Sequence, residues 1–306
     1  MLQFIMMVGP SGCGKSTWAK NYVESMNDTG EWDIHSSDAI RGELWGDESV
    51  QGDPAQVFNL LHKRVRKSLC EGRNVIYDAT NLPRKRRMGV LKTMFNQEAA
   101  DGVEVFHKAV VIVARESECI CRNYHRPRKV PANVIERHFT QIQLPWIDEG
   151  WDDIDYVVTS TYQEYSQSWG ELLHFLDIPH DNIHHKYDVL EHSLRVAARL
   201  GKPFSEGWKL GLLHDCGKPE TKSWVRPNGK EDGQAHYYNH HLIGGYKSLL
   251  YEGDDHWHKY LRAMAIQYHM EPWFRGDKIE EFYERLDNIQ LVEMVKALHE
   301  ADKAEA

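Results

Sequence analysis

The chain has 306 residues, enough for two modest domains each with its own core, and carries 37 basic against 46 acidic residues for a net charge of −9. That balance argues against a surface built wholly for polyanions, whose binding rests on Lys and Arg contacts to phosphate. Five cysteines without an even framework, an N-terminus with no basic region or cleavage site, and apolar runs of strand length exclude a disulfide scaffold and a membrane-spanning helix. The chain reads as a reduced, cytoplasmic protein that engages no membrane.

Residues 4–8 form a continuous apolar run, a strand, that leads into Gly9-Pro-Ser-Gly-Cys-Gly14-Lys15-Ser16, and residues 15–26 continue as a helix. Gly9 and Gly14 permit a backbone whose N–H groups face phosphate oxygens, Lys15 adds a point charge toward the β- and γ-phosphates, and Ser16 offers a hydroxyl to Mg²⁺. Ser11, Gly12 and Thr17 belong to the same nucleotide-binding stretch. This is a P-loop in its proper strand-to-helix setting.

Further strands are predicted at residues 32–36, 74–77, 103–113 and 155–159, with helices at 54–70, 84–96 and 132–143. The alternation implies a mostly parallel sheet flanked by helices, with the strand C-termini gathered along one edge. After residue 159 the pattern becomes helical, with helices at 162–176, 190–200, 208–214, 242–251, 256–269 and 279–299, a connector at 178–182, an exposed loop at 226–233 and no strong strand signal. The expected organisation is an α/β P-loop domain at 1–165, a linker at 166–179 and an all-α domain at 180–306.

Phosphoryl transfer needs a group to accept the proton of the attacking hydroxyl, and Asp38 at the end of the second strand stands either in that role or as a helix cap. Arg41 follows one turn later, where a guanidinium can hold an anionic part of the acceptor. Asp78 ends the third strand, either near Mg²⁺ or in a turn. Residues 122–131 contain Arg122, Arg126, Arg128 and Lys129, the composition of a lid over a triphosphate. Basic clusters at 63–67, 84–87 and 122–129 form either a local basic surface or solvated helix faces.

Histidine separates the two halves: 13 of the 18 fall from His174 onward, which suggests a metal site. The His214-Asp215 doublet ends an apolar helix, His192 precedes it and Asp302 follows. Nitrogen and oxygen donors without thiolate favour Mn²⁺, Mg²⁺, Ni²⁺, Co²⁺ or Fe over structural zinc.

These residues carry two resemblances. Gly9 to Ser16, Asp38-x-x-Arg41, Asp78-Ala-Thr-Asn81 and Arg122-Asn-x-x-Arg126 with Val130-Pro131 resemble the kinase domain of phage-type polynucleotide 5′-kinases across about the first 160 residues. The resemblance implies ATP or another NTP with Mg²⁺, Asp38 as general base, Arg41 on the phosphate 3′ of the acceptor nucleotide, and Arg126 with Arg122 on ATP. Many small P-loop kinases and zeta-toxin-like proteins share the aspartate after strand two, so a small-molecule acceptor stays open.

In the second half, Tyr187 to His192, His214-Asp-Cys-Gly-Lys-Pro219 and His236 to Gly245 resemble the HD phosphohydrolase superfamily, in the form attached to some bacterial CCA-adding enzymes. The resemblance implies His192, His214, Asp215 and Asp302 as ligands of Mn²⁺, Ni²⁺, Co²⁺ or Mg²⁺, with Lys218 on a phosphate oxygen. His240 and His269 complete a second metal position, bind phosphate, or are ordinary hydrogen-bonded imidazoles. His184, His185, His241, His256 and His258 are expected at the surface or behind the ligands. The two resemblances together imply a bifunctional enzyme that heals nucleic-acid ends, RNA or DNA, with a 5′-hydroxyl kinase and a 3′/2′-end phosphatase or 2′,3′-cyclic phosphodiesterase. The alternatives are a small-molecule or nucleoside kinase joined to a nucleotidase, and a second half that binds nucleotides without turnover.

Overall fold

The computed structural model describes residues 1–26, 30–95, 104–126, 128–160, 169–251 and 255–306. The chain divides into two units, one of Met1–Phe139 with Pro145–Ser160 and one of Thr140–Leu144 with Thr161–Ala306.

The first unit is built on strands β1 (Leu2–Val8), β2 (Trp32–Ser36), β3 (Asn74–Asp78), β4 (Val105–Val113) and β5 (Asp153–Val158). They form one parallel sheet in the order β2-β3-β1-β4-β5, with Phe4 opposite Val75 on one side and His107 on the other. Burial on both faces explains the unbroken apolar runs of β1 and β4, because helices cover a parallel sheet above and below. Helices α1 (Lys15–Ser25), α2 (Ser37–Trp45), α3 (Pro54–Cys70), α4 (Arg84–Phe95), α5 (Glu116–Tyr124) and α6 (Ala132–Gln141) alternate with the strands. α3 shows why such a segment folds: Asp53 caps it by accepting from the Ala55 N–H, Pro54 starts it, and Val57, Leu61, Val65 and Leu69 at fourfold spacing bury one stripe in the core. All five predicted strands are present among the described residues. The ends predicted at residues 96 and 103 fall outside them.

The order of the sheet changes direction at β1, so the loop after β1 lies at the topological switch point, where open α/β sheets bind ligands. The C-terminal ends of β1, β2 and β3 carry Val8, Ser36 and Asp78 to the same edge.

The second unit is mainly helical: α7 (Trp169–Leu176), α8 (Val189–Leu200), α9 (Glu206–Leu213), α10 (Lys218–Thr221), α11 (His240–Ser248), α12 (His256–Tyr268), α13 (Glu271–Arg275), α14 (Ile279–Leu286) and α15 (Ile289–Glu305). α8 packs on α9 and α15, and α12 on α11 and α15, around Val196, Leu212, Leu261, Met264, Val295 and Leu298. Two expectations need correction. The unit is not all helix, since β6 (Lys222–Val225) pairs antiparallel with β7 (Glu231–Tyr237) around the loop expected at 226–233. Their exposed residues lack the apolar alternation that marks a half-buried strand. The single helix expected over 279–299 is two, because Asp287 takes a left-handed conformation (φ 48) and Asn288 caps α15 from the Leu291 N–H. The helix expected over 162–176 is present over its described part as α7, whose Leu172 and Leu176 are buried, and residues 162–168 lie outside the described residues.

Candidate functional site

In the first unit the loop between Val8 and Lys15 is pressed against α5. Gly12 has φ 87, and a Cβ there would stand 2.3 Å from the Cys119 carbonyl oxygen, so backbone shape and space both demand glycine. Lys15 opens α1 and its ammonium donates to the Gly9 and Pro10 carbonyls at 2.9 and 2.7 Å. The Ser16 hydroxyl donates to Asp78 Oδ2 at 2.7 Å. Burial raises the Asp78 carboxyl above its ordinary range, with Lys15 opposing. A hydroxyl and a carboxylate converging at the start of the helix form the hard oxygen pair that suits Mg²⁺.

The Ser11 N–H donates to His138 Nδ1 at 3.3 Å, and burial together with Lys15 holds that ring down at about 4, so the nitrogen is an open acceptor at neutral pH. Arg122, expected on the nucleotide, instead supports the loop from beneath. Its guanidinium donates to the Cys13 carbonyl at 3.3 Å and to Thr159, whose hydroxyl also donates to the Cys13 carbonyl at 2.6 Å. Arg122 sits in the last turn of α5, and α5 lies against the back of the loop, which turns this side chain away from the cleft.

A cleft of about 220 Å³ opens over the loop. Ser11, Gly12, Gly14, Lys15 and Ser16 line it, while Gly9 and the exposed Thr17 do not. Asp38 enters from the first turn of α2. Ser36, not Asp38, is the cap of that helix: its hydroxyl accepts from the Asp38 N–H at 3.2 Å, so the carboxylate is free of capping. Arg41 donates to Asp38 Oδ1 at 2.9 Å and Arg128 pairs with Oδ2. Arg126 lines the same cleft, as do Arg86 and Arg137, so six cationic side chains with Lys15, Arg41 and Arg128 face two carboxylates. The excess positive charge matches a polyphosphate and the charge that spreads over a transferring phosphoryl group.

The segment carrying Arg126 and Arg128 is closed by Asn123, whose amide donates to the Val130 carbonyl at 2.8 Å while its oxygen accepts from the Val130 N–H at 2.9 Å. Arg86, Arg137 and His138 were not among the sequence candidates, and Arg128 was one only as part of the cationic lid segment. Their signal was present in part: Arg86 and Arg128 fall in basic clusters, and Val134, Arg137 and His138 share one face of α6 by their spacing.

In the second unit, His192, His214 and Asp215 bring three ligand atoms within 4.8 Å of one another, and Asp215, His240 and His269 do the same. Asp215 belongs to both sets. His192 Nε2 lies 3.0 Å from Asp302 Oδ1, His214 Nε2 3.2 Å from Asp215 Oδ2, and His240 Nε2 3.4 Å from Asp215 Oδ1 and 3.2 Å from His269 Nε2. Each ring turns its other nitrogen to a backbone carbonyl: His192 to Glu305, His214 to Gly211, His240 to Tyr237 and His269 to Ile266, at 3.3, 2.6, 2.8 and 2.7 Å. A carbonyl only accepts, so the proton resides on Nδ1 and the Nε2 lone pair points inward. His214 and His269 each follow a helix, where they satisfy carbonyls that the helix leaves unpaired.

In the neutral rings, inward lone pairs face one another and the carboxylate oxygens across about 3 Å, and His214 Nε2 is buried without a hydrogen-bond partner among the described residues. A cation between them removes the conflict. The donor set of four imidazoles and two carboxylates fits two divalent ions that share Asp215. The field has the matching sign: burial opposes charge on His214, yet Asp215 and Asp302 outweigh it and raise the ring to about 10, so an Nε2 proton fills the position that a bound cation would take. Burial keeps His240 well below its ordinary range and His269 at about 4, so both are neutral.

The Lys218 ammonium is 2.7 Å from Asp215 Oδ2. Of the histidines expected outside the ligand set, His184, His256 and His258 are exposed, but His241 is buried beside His269 and Phe274. His185 is half-buried against His180, which had drawn no attention in the sequence.

Residues 4–144 match the model of a family described as AAA domain. No curated protein matches the chain. Among solved structures, the chain is similar to a chain of the Pnkp1/Rnl/Hen1 RNA repair complex, 23% identical over 46% of this chain and 43% of that one, with a TM-score of 0.36. It is similar to a fungal RNA kinase, 14% identical over 68% and 52%, TM-score 0.40. It is similar also to a gluconokinase from Sinorhizobium meliloti 1021, 18% identical over 55% and 88%, TM-score 0.34. The chain spans less than half the length of the repair-complex chains that it matches. The first unit is a P-loop nucleotide-binding domain: a parallel sheet flanked by helices, with the loop at its switch point. No helix among the described residues is long and apolar enough to cross a membrane.

Proposed function

We propose that the chain is a bifunctional end-healing enzyme, an ATP-dependent kinase of 5′-hydroxyl ends of nucleic acid joined to a metal-dependent phosphohydrolase of 3′ and 2′ ends. The observation that carries the kinase reading is the cleft itself, in which Asp38 stands beside Lys15, the Ser16–Asp78 pair and five arginines. Asp38 takes the proton of the attacking hydroxyl. The hydroxyl oxygen bonds to the γ-phosphorus as the bridging P–O bond breaks and ADP leaves, while the arginines and Lys15 hold the charge on the non-bridging oxygens. Ser16 and Asp78 would hold Mg²⁺, which neutralises phosphate charge. Arg41, bonded to Asp38, is suited to a phosphate of the acceptor.

The phosphohydrolase reading rests on the shared-aspartate cage. His192, His214, Asp215, Asp302, His240 and His269 would hold the divalent ions, which supply Lewis acidity toward water and phosphoryl oxygen. Lys218, one bond away, is suited to a phosphate oxygen.

An oligonucleotide with a 5′-hydroxyl and a 2′,3′-cyclic phosphate tests both halves at once, given ATP and Mg²⁺, Mn²⁺, Ni²⁺ or Co²⁺ in turn. Lys15→Ala and Asp38→Ala are expected to remove only the 5′ reaction, and Asp215→Ala only the 3′ reaction. Modification of neither end under any metal overturns the reading, and phosphorylation of a sugar or nucleoside in preference to the oligonucleotide moves the acceptor to small molecules.

A further inference from the structure

Lys218 is 3% exposed, and its ammonium is ion-paired with Asp215 Oδ2 at 2.7 Å and meets two ring nitrogens, His180 Nε2 at 2.9 Å and His185 Nε2 at 3.3 Å. An ammonium has three N–H bonds and no lone pair, so both ring nitrogens accept from it while Asp215 holds it by charge. His180 is fixed as an acceptor, because its Nδ1 faces the Tyr187 carbonyl at 2.6 Å and must carry the proton there. Its own carbonyl accepts from the Tyr237 hydroxyl at 2.6 Å, and the Asp181 carbonyl accepts from the Ala235 N–H at 2.9 Å, which fastens this segment to β7.

His185 is held differently. Its ring lies flat on His180, centroids 3.9 Å apart and planes 10° apart, and stands 5.2 Å from the His192 ring. Its Nδ1 has no hydrogen-bond partner among the described residues, its contact to Lys218 is the longest of the three, and the residue is only half-buried. It is the acceptor that gives way most easily.

We infer that His180 and His185 are positioning residues for Lys218 at the edge of the metal cage, His180 a permanent acceptor and His185 an exchangeable one that yields its N–H to an incoming phosphate oxygen. The inference rests on the phosphohydrolase reading of this unit. Without His180 the ammonium loses its fixed anchor opposite Asp215. Without His185 one N–H is free in advance for the anion.

The test uses the full chain with Mn²⁺ and p-nitrophenyl phosphate, together with the nitrogen-15 ammonium resonance of Lys218 assigned by its loss in Lys218→Met. His180→Ala is expected to lower kcat/KM on the order of tenfold to a hundredfold, with partial rescue in His180→Gln, whose carbonyl also accepts. Combined with Lys218→Met it should add nothing, as residues acting through one group do not add. His185→Ala should lower KM by roughly threefold to tenfold. The protected ammonium resonance should persist in the wild type and vanish in His180→Ala. Multiplying losses in the double variant, a resonance indifferent to His180, or a KM raised by His185→Ala each overturns the inference. Failure of the phosphohydrolase reading is distinct: the wild type then turns nothing over, while the resonance still decides whether His180 anchors Lys218.

Discussion

The Ser16 hydroxyl donates to Asp78 across 2.7 Å, tying the first turn of α1 to the last residue of β3. The pair unites an oxygen from the P-loop with one from the neighbouring strand. Asp78→Asn keeps size but removes the charge, and kinase turnover is expected to fall by about 10²–10³, with recovery only at much higher Mg²⁺. Because burial raises this carboxyl, proton uptake sets in above the ordinary aspartate value of about 3.9, and Mg²⁺ affinity measured by calorimetry should decline as pH falls toward that raised value.

Gly12→Ala forces a methyl toward the Cys119 carbonyl at a positive φ. A cost of about 1–3 kcal/mol is expected, read as a lower urea midpoint for the first unit and a raised Kd for ATP.

Asp38 holds two guanidiniums, one on each oxygen. Arg128→Ala is expected to lower kcat/KM for the kinase on the order of tenfold, and Arg128→Lys should not restore it, because an ammonium lacks the planar fork. Steady-state kinetics with ATP and the acceptor varied in turn gives the answer.

The cage should register metal without any turnover. Mn²⁺ at about a hundredfold its Kd is expected to stabilise the chain by ~2.7 kcal/mol, a rise of roughly 5–10 °C in Tm for the second unit. Asp215→Asn should abolish the shift, since this carboxylate belongs to both ligand sets. Lys15→Ala should retain it. Differential scanning calorimetry separates the cases.

Burial holds His180 at about 4 and His185 and His241 at about 3. Unfolded, these rings take up protons near pH ~6.5, whereas the folded rings do so only well below it. The unfolded state therefore binds more protons between these values, and stability is lost as pH falls from about 6.5 toward about 4. Urea unfolding with a chelator present, at several pH values in that window, should show the second unit weakening, with a shallower slope in His241→Phe.

The sheet and the P-loop were legible because their signals are local. An apolar run, a glycine loop and a helix adjoin in the chain, and β1 and β4 announce themselves by the buried apolar runs Phe4 to Val8 and Ala109 to Val113. The doublet His214-Asp215 was equally visible. What the sequence could not show is burial of a polar ring: His180 and His241 are spelled like the exposed His184 and His258, and only packing separates them. Arg122 and Arg128 likewise sit in one basic run, yet one braces the back of the loop and the other reaches Asp38. Proximity along a lid does not specify which way a side chain turns. The break at Asp287 was missed because a left-handed aspartate leaves little trace in the hydrophobic period.

The four cage histidines are all oriented by main-chain carbonyls rather than by neighbouring side chains. No substitution elsewhere can delete a carbonyl, so this outer support is heritable with the backbone itself. The carboxylates between the rings are thus free to change, and with them the preferred ion, while the rings remain aimed into the cage.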